Sequence, residues 1–266
     1  MPEELPEFNI DAWKPKTRLG TAVKNKEITE IDDILENGSC ILETGITDAL
    51  VNIEAEFLLI GQAKGKFGGG QRRQFKSTQK KTMEGNKPKF SCLAVIGDRD
   101  GHVGLGLGGS KETVPSREKA LRQAKLNIFK IRRGCGSWQC NCRQPHSIPF
   151  AVTGRCGSVE VRLMPAPKGK GLCVEKECAK VLALAGVKDV WSKSRGQTRD
   201  KINMVKALED ALRKLSGVKL DGRDTAHLAV LDGAAHKKPQ AQQEPPMQQD
   251  LPEEQPQEQP QEQKVE

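Results

Sequence analysis

The chain has 266 residues, of which 36% are hydrophobic and 4% aromatic, and it contains no tyrosine. Its apolar runs are much shorter than the roughly 20 residues that cross a bilayer, which excludes a transmembrane helix. Residues 1–7 are acidic and lack the apolar segment of a secretory signal, so the eight cysteines indicate a reducing, cytoplasmic compartment.

The net charge of +8 is distributed very unevenly along the chain. Residues 1–56 carry 13 acidic and 5 basic side chains, and residues 239–266 carry 7 acidic side chains and 1 basic one. The remaining residues, 57–238, therefore hold a net charge of +22. A body this basic predicts a polyanionic partner. The alternative is a generally basic surface that only keeps the protein in solution.

The N-terminal arm, residues 1–52, is predicted to contain short helices. Thr29 is a candidate N-cap, and Asn37-Gly38 is a signal for the end of a helix. Between them lies a short apolar stripe, formed by Ile31, Ile34 and Leu35.

The first folded domain is predicted over residues 53–131, with the element order β-β-β-α. Its strands are expected at residues 57–60, 90–97 and 102–107, and its helix from Pro115 to about residue 130. Cys92 lies inside the second strand and is expected in the core. His102 follows a turn signal and is expected at a surface or interface.

The segment between the first two strands is the strongest candidate for binding nucleic acid. Residues 62–81 contain seven lysines or arginines and no acidic residue. Glycines let a backbone approach phosphates closely, and Phe67 and Phe75 could stack on bases. The predicted RNA-contacting residues here are Lys64, Lys66, Gly68, Gly69, Gly70, Arg72, Arg73 and Lys76. Arg132, Arg133, Lys168 and Lys170 are predicted to extend this surface, and the alternative is a flexible, solvated loop.

A second domain is predicted over residues 147–220, followed by a mostly disordered tail over residues 221–266. Within the domain we expect two paired strands (148–152 and 159–164), a helix (175–185), a short strand (188–192) and a last helix (198–215). Residues 239–266 contain 10 glutamines and 6 prolines, a composition that has too little apolar surface to fold.

The link between the domains, residues 132–146, is predicted to bind a structural zinc ion. Its ligands would be Cys135, Cys140, Cys142 and His146, since three thiolates and one imidazole complete a tetrahedral site. Trp138 is expected to shield the metal. Two alternatives stay open: Cys156 could replace His146, or the thiols could be buried without a metal.

Several ordered motifs resemble the ribosomal protein S5 family of the small subunit. The first domain matches it in CLAVIGDRDGHVGLGLGG over residues 92–109 and in KETVP over residues 111–115. The second domain matches it in PHSIP (145–149), GSV (157–159), LMPAP (163–167), LAG (184–186) and DVW (189–191). The insertion GCGSWQC over residues 134–140 resembles archaeal members of the family.

The resemblance implies a mixed α/β (α+β) fold of two small domains, the first similar to double-stranded-RNA-binding domains. It also implies a structural, non-enzymatic role on ribosomal RNA, near where messenger RNA enters and is decoded, with an influence on translational accuracy. Ribosomal proteins S4 and S8 are the neighbours it implies. No P-loop or zinc-deaminase motif is present. The alternative function is that of a free regulatory protein that binds double-stranded RNA.

Overall fold

Three short helices form the N-terminal arm in the computed structural model, which describes residues 9–63 and 70–234. They are α1 (Arg18–Lys24), α2 (Ile31–Glu36) and α3 (Thr44–Leu50). The arm has its own apolar cluster, which reaches the body of the protein at Ile128 and contains Val23, Ile31, Ile34, Ile41 and Ile46. The helix predicted after Thr29 is present as α2, with Glu30 rather than Thr29 at its N-cap.

The first sheet has five antiparallel strands. They are β1 (Glu54–Phe57), β2 (Phe75–Thr82), β3 (Gly85–Gly97), β4 (His102–Ser110) and β5 (Ile128–Lys130). The order is β1-β3-β4-β5, and β2 also pairs with β3. Phe57 lies opposite Ala94 and Phe75 lies opposite Cys92, so β1 and β2 follow one another along the same edge of β3.

Helix α4 (Thr113–Leu126) packs closely on one face of this sheet because β4 presents a row of glycines to it. A Cβ atom on Gly104, Gly106 or Gly108 would lie within 2.4 Å of a backbone carbonyl oxygen of α4. The glycine-rich run of residues 104–109 therefore serves helix packing, and not phosphate binding.

Three sequence predictions for this domain are wrong in detail. The first strand, predicted at residues 57–60, is β1 and ends at Phe57. Residues 75–82 were predicted to belong to a basic loop. They form strand β2, which pairs with β3 in an exposed β-hairpin. The predicted helix to residue 130 ends at Leu126, and the chain continues as β5. The Asn127 side chain donates to the Leu105 carbonyl at 3.1 Å, and Val103 and Gly104 of β4 pair with Phe129 and Ile128.

Both faces of the first sheet are buried along β3. Cys92, Ala94 and Ile96 face α4, whereas Leu93 and Val95 belong to a core shared with the second half of the chain. The prediction that Cys92 lies in the core is confirmed, with no exposed surface.

The second sheet has four strands in the order β7-β8-β10-β9. These strands are β7 (Val152–Cys156), β8 (Val159–Pro165), β9 (Leu172–Cys173) and β10 (Val190–Arg195). A short strand, β6 (Arg132–Arg133), precedes them in the chain and is not part of this sheet. Helix α5 (Lys176–Leu184) lies between β9 and β10 in the chain, and α6 (Lys201–Gly217) packs on β7 and β8. The apolar stripe predicted for the last helix is buried at Val205, Leu208, Leu212 and Leu215.

Residues 221–234, predicted as the start of a disordered tail, fold against the junction of the two halves. They form α7 (Gly222–His227) and β11 (Leu231–Asp232), and β11 pairs with β6. The Cys135 amide donates to the Leu228 carbonyl at 2.7 Å. The rest of the predicted disordered tail, residues 235–266, lies outside the described residues.

His102 is buried rather than at a surface, and it joins the arm to the first sheet. Its Nδ1 lies 2.5 Å from a carboxylate oxygen of Asp98, and its Nε2 lies 2.9 Å from one of Asp32 in α2. Burial favours the neutral imidazole, but the hydrogen bonds to the two carboxylates outweigh it and raise the pKa of His102 to about 9. The side chain is therefore an imidazolium at neutral pH.

Within residues 9–63 and 70–234, no helix combines the length and apolar character required to span a bilayer.

Candidate metal centre and nucleic-acid interface

The cysteine-rich link folds into a compact loop between β6 and β7. The amide of Gly134 donates to the carbonyl of Ser147 at 2.8 Å, and the amide of Ser147 donates back to Gly134 at 2.9 Å. Gly136 lies against the Pro149 backbone so closely that a Cβ atom would be 1.8 Å from its carbonyl oxygen. These contacts bring residues 135 and 146, at the two ends of the loop, next to each other.

The four predicted ligands come together at this point. The sulfurs of Cys135 and Cys142 are 3.6 Å apart, and the Cys140 sulfur is 3.7 Å from Nε2 of His146. All four donor atoms lie within 4.8 Å of one another. Zinc–sulfur bonds of about 2.3 Å in a tetrahedron require donor atoms roughly 3.7 Å apart, so the arrangement fits a zinc ion.

A buried carboxylate orients the histidine of this cluster. Nδ1 of His146 lies 2.8 Å from a carboxylate oxygen of Asp189, and both side chains are buried. This contact leaves Nε2 facing Cys140. The other carboxylate oxygen of Asp189 accepts a hydrogen bond from the Gly171 amide at 2.8 Å. Such a carboxylate–histidine pair fixes the ring and makes it a better metal ligand.

The thiols of the cluster differ in how readily they ionise. A backbone N–H from Lys168 donates to Cys140 and lowers the pKa of that thiol to about 6. Burial, together with the neighbouring thiols, raises the pKa of Cys135 to about 11. A cation at the centre would offset the repulsion that accompanies ionisation of the second and third thiols.

Two expectations about the surroundings of the cluster are not met. Trp138 is 89% exposed and does not shield the four donor atoms. Cys156 lies at the end of β7, with its sulfur 3.9 Å from Asn203 Oδ1, and the histidine rather than Cys156 completes the cluster.

Residues 62–81, here called the basic segment, lead into a groove between two halves of the molecule. The first half contains the first sheet and α4, and the second half contains the second sheet, α5 and α6. The groove has a volume of about 860 Å³, and its basic lining comes from Arg72 and Lys76 of the first half and Arg199 of the second. Gly70 and Gln197 also line it, and Asp200 is the acidic residue there. Arg73 is exposed beside it, and its carbonyl holds the Gly61 amide at 2.9 Å. The other predicted contacts, Lys64, Lys66, Gly68 and Gly69, lie outside the described residues, as does Phe67.

Arg199 is not among the RNA-contacting residues predicted from the sequence. Its signal was present in the run of bases at Lys193, Arg195 and Arg199, which precedes the last helix. What the sequence alone could not show is that this run lies beside a segment more than 120 positions earlier in the chain.

The four basic residues predicted to extend the surface have different environments. Lys168 and Lys170 are exposed on the turn beside the metal cluster, where Nζ of Lys168 donates to the Gln144 side chain at 2.9 Å. Arg132 forms two hydrogen bonds with the Asp232 carboxylate. Arg133 is buried and donates to Asp100 and to the Gly233 carbonyl. Both arginines form hydrogen bonds within the fold, and they are not part of the proposed interface.

Comparison with known proteins places this architecture in a family. The profile described as "Ribosomal protein S5, N-terminal domain" matches residues 72–132, and that described as "Ribosomal protein S5, C-terminal domain" matches residues 154–225. The cysteine cluster lies between the two matched ranges.

Archaeal relatives match over most of the chain. The small ribosomal subunit protein uS5 of Nanoarchaeum equitans is 51% identical over 213 residues, which is 80% of this chain and 91% of the relative. That of Methanocaldococcus jannaschii is 41% identical over 227 residues, or 85% of this chain and 98% of the relative. The relatives are ribosomal proteins and not enzymes, as the sequence analysis predicted for this chain. The chain belongs to the ribosomal protein S5 family, in its archaeal form.

Proposed function

We propose that the protein is a structural component of the small ribosomal subunit that binds ribosomal RNA. Membership of the ribosomal protein S5 family supports this role and supports a location on cytoplasmic ribosomes. The observation that carries RNA binding is the groove in which Arg72 and Lys76 meet Arg199. A folded RNA presents phosphates and 2′-hydroxyls on its surface, and arginines on a rigid scaffold fit that chemistry.

We further propose a location near the path of messenger RNA into the decoding region, with an effect on translational accuracy. Ribosomal proteins S4 and S8 are the neighbours we expect. The family resemblance supports these details. A density map of the organism's small subunit, and misreading assays on strains with variants of this protein, would test them.

Neutralising the basic segment tests RNA binding. Changing Lys64, Lys66, Arg72, Arg73 and Lys76 to glutamine should lower the affinity of the full chain for a transcript of the small-subunit ribosomal RNA at least 100-fold. Each lost phosphate contact should also reduce the slope of log affinity against log salt by about 0.7 to 0.9.

The matched control for that test removes five exposed bases elsewhere. These are Lys14, Lys16, Lys119, Arg122 and Lys206. If both variants lose affinity equally, the basic segment has no special role. If neither loses any, the proposed interface is wrong.

Sedimentation separates the ribosomal role from that of a free regulator. Co-migration with small subunits in high-salt sucrose gradients supports a fixed place in the particle. A pool found only in the free fractions would support the regulatory alternative.

We also propose that Cys135, Cys140, Cys142 and His146 hold a structural zinc ion. The donor distances and the Asp189–His146 contact support this assignment. A site with four protein ligands leaves no position for a reacting water, so the ion would stabilise the link and not catalyse. Protein purified without chelator should contain one zinc per chain, whereas a content of zero would contradict the site.

A further inference from the structure

The second sheet has an open, strongly basic face that the proposed groove does not include. Helix α6 covers one face of β7 and β8. On the other face, alternate residues of β7, β8 and β10 point outward. The basic residues among them are exposed, namely Arg155, Arg162, Lys193 and Arg195, and Glu160 is the acidic residue beside them.

The strand register places like charges directly opposite each other on this face. Lys193 pairs with Arg162 across β10 and β8, and Arg195 and Arg155 flank Glu160 from the two neighbouring strands. Like charges directly opposite one another destabilise a sheet. Within the described ranges, none of the four bases forms an ion pair with a carboxylate of the chain. At Arg162 and Lys193 the free protein therefore carries an unfavourable pair that an anionic partner would relieve, whereas Arg155 and Arg195 lie opposite Glu160.

The shape of the face offers a place for such an anion. A depression of about 120 Å³ is lined by Thr153, Glu160, Arg162, Lys193 and Arg195. Three of the four bases on the face are arginines, whose planar guanidinium can form two parallel hydrogen bonds with a phosphate. The side chain of Trp191, on the same face and half-buried, lies opposite Met164 at one end.

The face is also joined to the groove by a short, tightly held piece of chain. Strand β10 ends at Arg195, and four residues later Arg199 lines the groove. The turn between them is held in place at Gly196, which has φ +83° and lies against the Ser158 backbone. Arg195 on the open face and Arg199 in the groove are therefore connected by only three intervening residues.

We propose that the open face of the second sheet, at Arg162, Lys193 and Arg195, binds the phosphate backbone of the RNA that occupies the groove. The inference rests on the proposed function, and it adds a second contact surface to it. RNA is favoured over an acidic protein because a short stretch of chain joins the face to the groove and because arginines predominate on the face.

The test compares two double variants of the full chain, with a transcript of the small-subunit ribosomal RNA as the probe. R162Q/K193Q should lower the affinity about tenfold and reduce the salt slope by about 1.4 to 1.8. The control K14Q/K16Q removes two exposed charges from the N-terminal arm and should change affinity less than twofold. R162Q/K193Q should melt at the wild-type temperature or above it, because it removes the like-charge pair.

A further pair of variants keeps the test valid if R162Q/K193Q proves unstable. The charge-conserving R162K/K193R should change binding less than twofold, as the control does, and R195Q alone should weaken it about threefold. If R162Q/K193Q binds RNA like the control while the five-residue variant of the basic segment loses affinity, the inference is overturned and the proposed function stands.

Two other results have clear meanings. If the wild-type chain does not bind the transcript at all, the proposed function itself fails. If R162Q/K193Q loses affinity for polyglutamate but not for the transcript, the partner of this face is an acidic protein and the inference is overturned.

Discussion

Charged side chains are paired with opposite charges in the interior, around His102 and Arg133, but two bases face each other on the open face of the second sheet. We call the interior region the junction. At the junction, His102 lies between Asp32 and Asp98, and Arg133 meets Asp100, so each cation has a carboxylate within 3 Å. On the open face, Arg162 and Lys193 oppose each other without such a partner in the described part of the chain. A basic residue is therefore informative about a ligand only after its internal partners are known.

The largest expected effect concerns the metal cluster, where a bound zinc ion would hold three mutually repelling thiolates together. Changing Cys135 to serine should abolish zinc binding and lower the free energy of unfolding by roughly 5 kcal/mol, because the metal supplies folding energy to an irregular loop. Elemental analysis and thermal melting measure both. C40S, at an exposed cysteine, is the control and should change neither. Full zinc content in C135S would exclude this residue as a ligand.

A smaller loss is expected at the buried imidazolium. His102→Gln leaves the carboxylates of Asp32 and Asp98 without their cation and should lower the free energy of unfolding by roughly 3–5 kcal/mol. Denaturant unfolding measures the change. H227Q, at an exposed histidine, should stay within about 0.5 kcal/mol of wild type. Equal stability of the two variants would mean that the interior ion pairs do not stabilise the arm.

Two arginines provide a direct test of the comparison. Arg133→Gln should cost roughly 1.5–3 kcal/mol, since its hydrogen bonds to Asp100 and Gly233 are lost, yet the folded variant should bind RNA like the wild type. Arg195→Gln should change stability by less than about 0.5 kcal/mol and weaken RNA binding. If Arg133→Gln weakened RNA binding and Arg195→Gln lowered stability, Arg133 would contact RNA and Arg195 would stabilise the fold.

The smallest effect, when measured per pH unit, is a dependence of stability on pH. Because the folded-state pKa of His102 is raised from 6.5 to about 9, its contribution is complete below pH 6.5 and is lost as the pH rises through 9. The slope should not exceed about 1.4 kcal/mol per pH unit. Unfolding of wild type and H102Q between pH 6 and 10 measures it, and parallel curves would show that folding does not raise the pKa of His102.

The sequence predicted the parts of the molecule that depend on local patterns. The ligand set from Cys135 to His146 spans 12 positions, so its spacing and glycines were sufficient to indicate a metal site. The apolar stripe of α6 likewise predicted the buried face of that helix.

Partners distant in the chain could not be predicted in this way. Asp189 lies 43 positions from His146, Asp32 lies 70 positions from His102, and Asp232 lies 100 positions from Arg132. Tertiary packing alone brings these pairs together. Strand β2 was missed because its lysines lack the apolar alternation of a half-buried strand, and its pairing with β3 defines it.

Strand β11, near the end of the described chain, pairs with β6, and this pairing bears on the order in which the protein folds during synthesis. The carbonyl of Leu228 accepts from the amide of Cys135, and Asp232 binds Arg132, so the last described residues complete the junction. During synthesis, the earlier domains emerge first and begin to fold without this segment. The hydrogen bonds of Leu228 with Cys135 and of Asp232 with Arg132 therefore form only after almost all of the described chain has been synthesised.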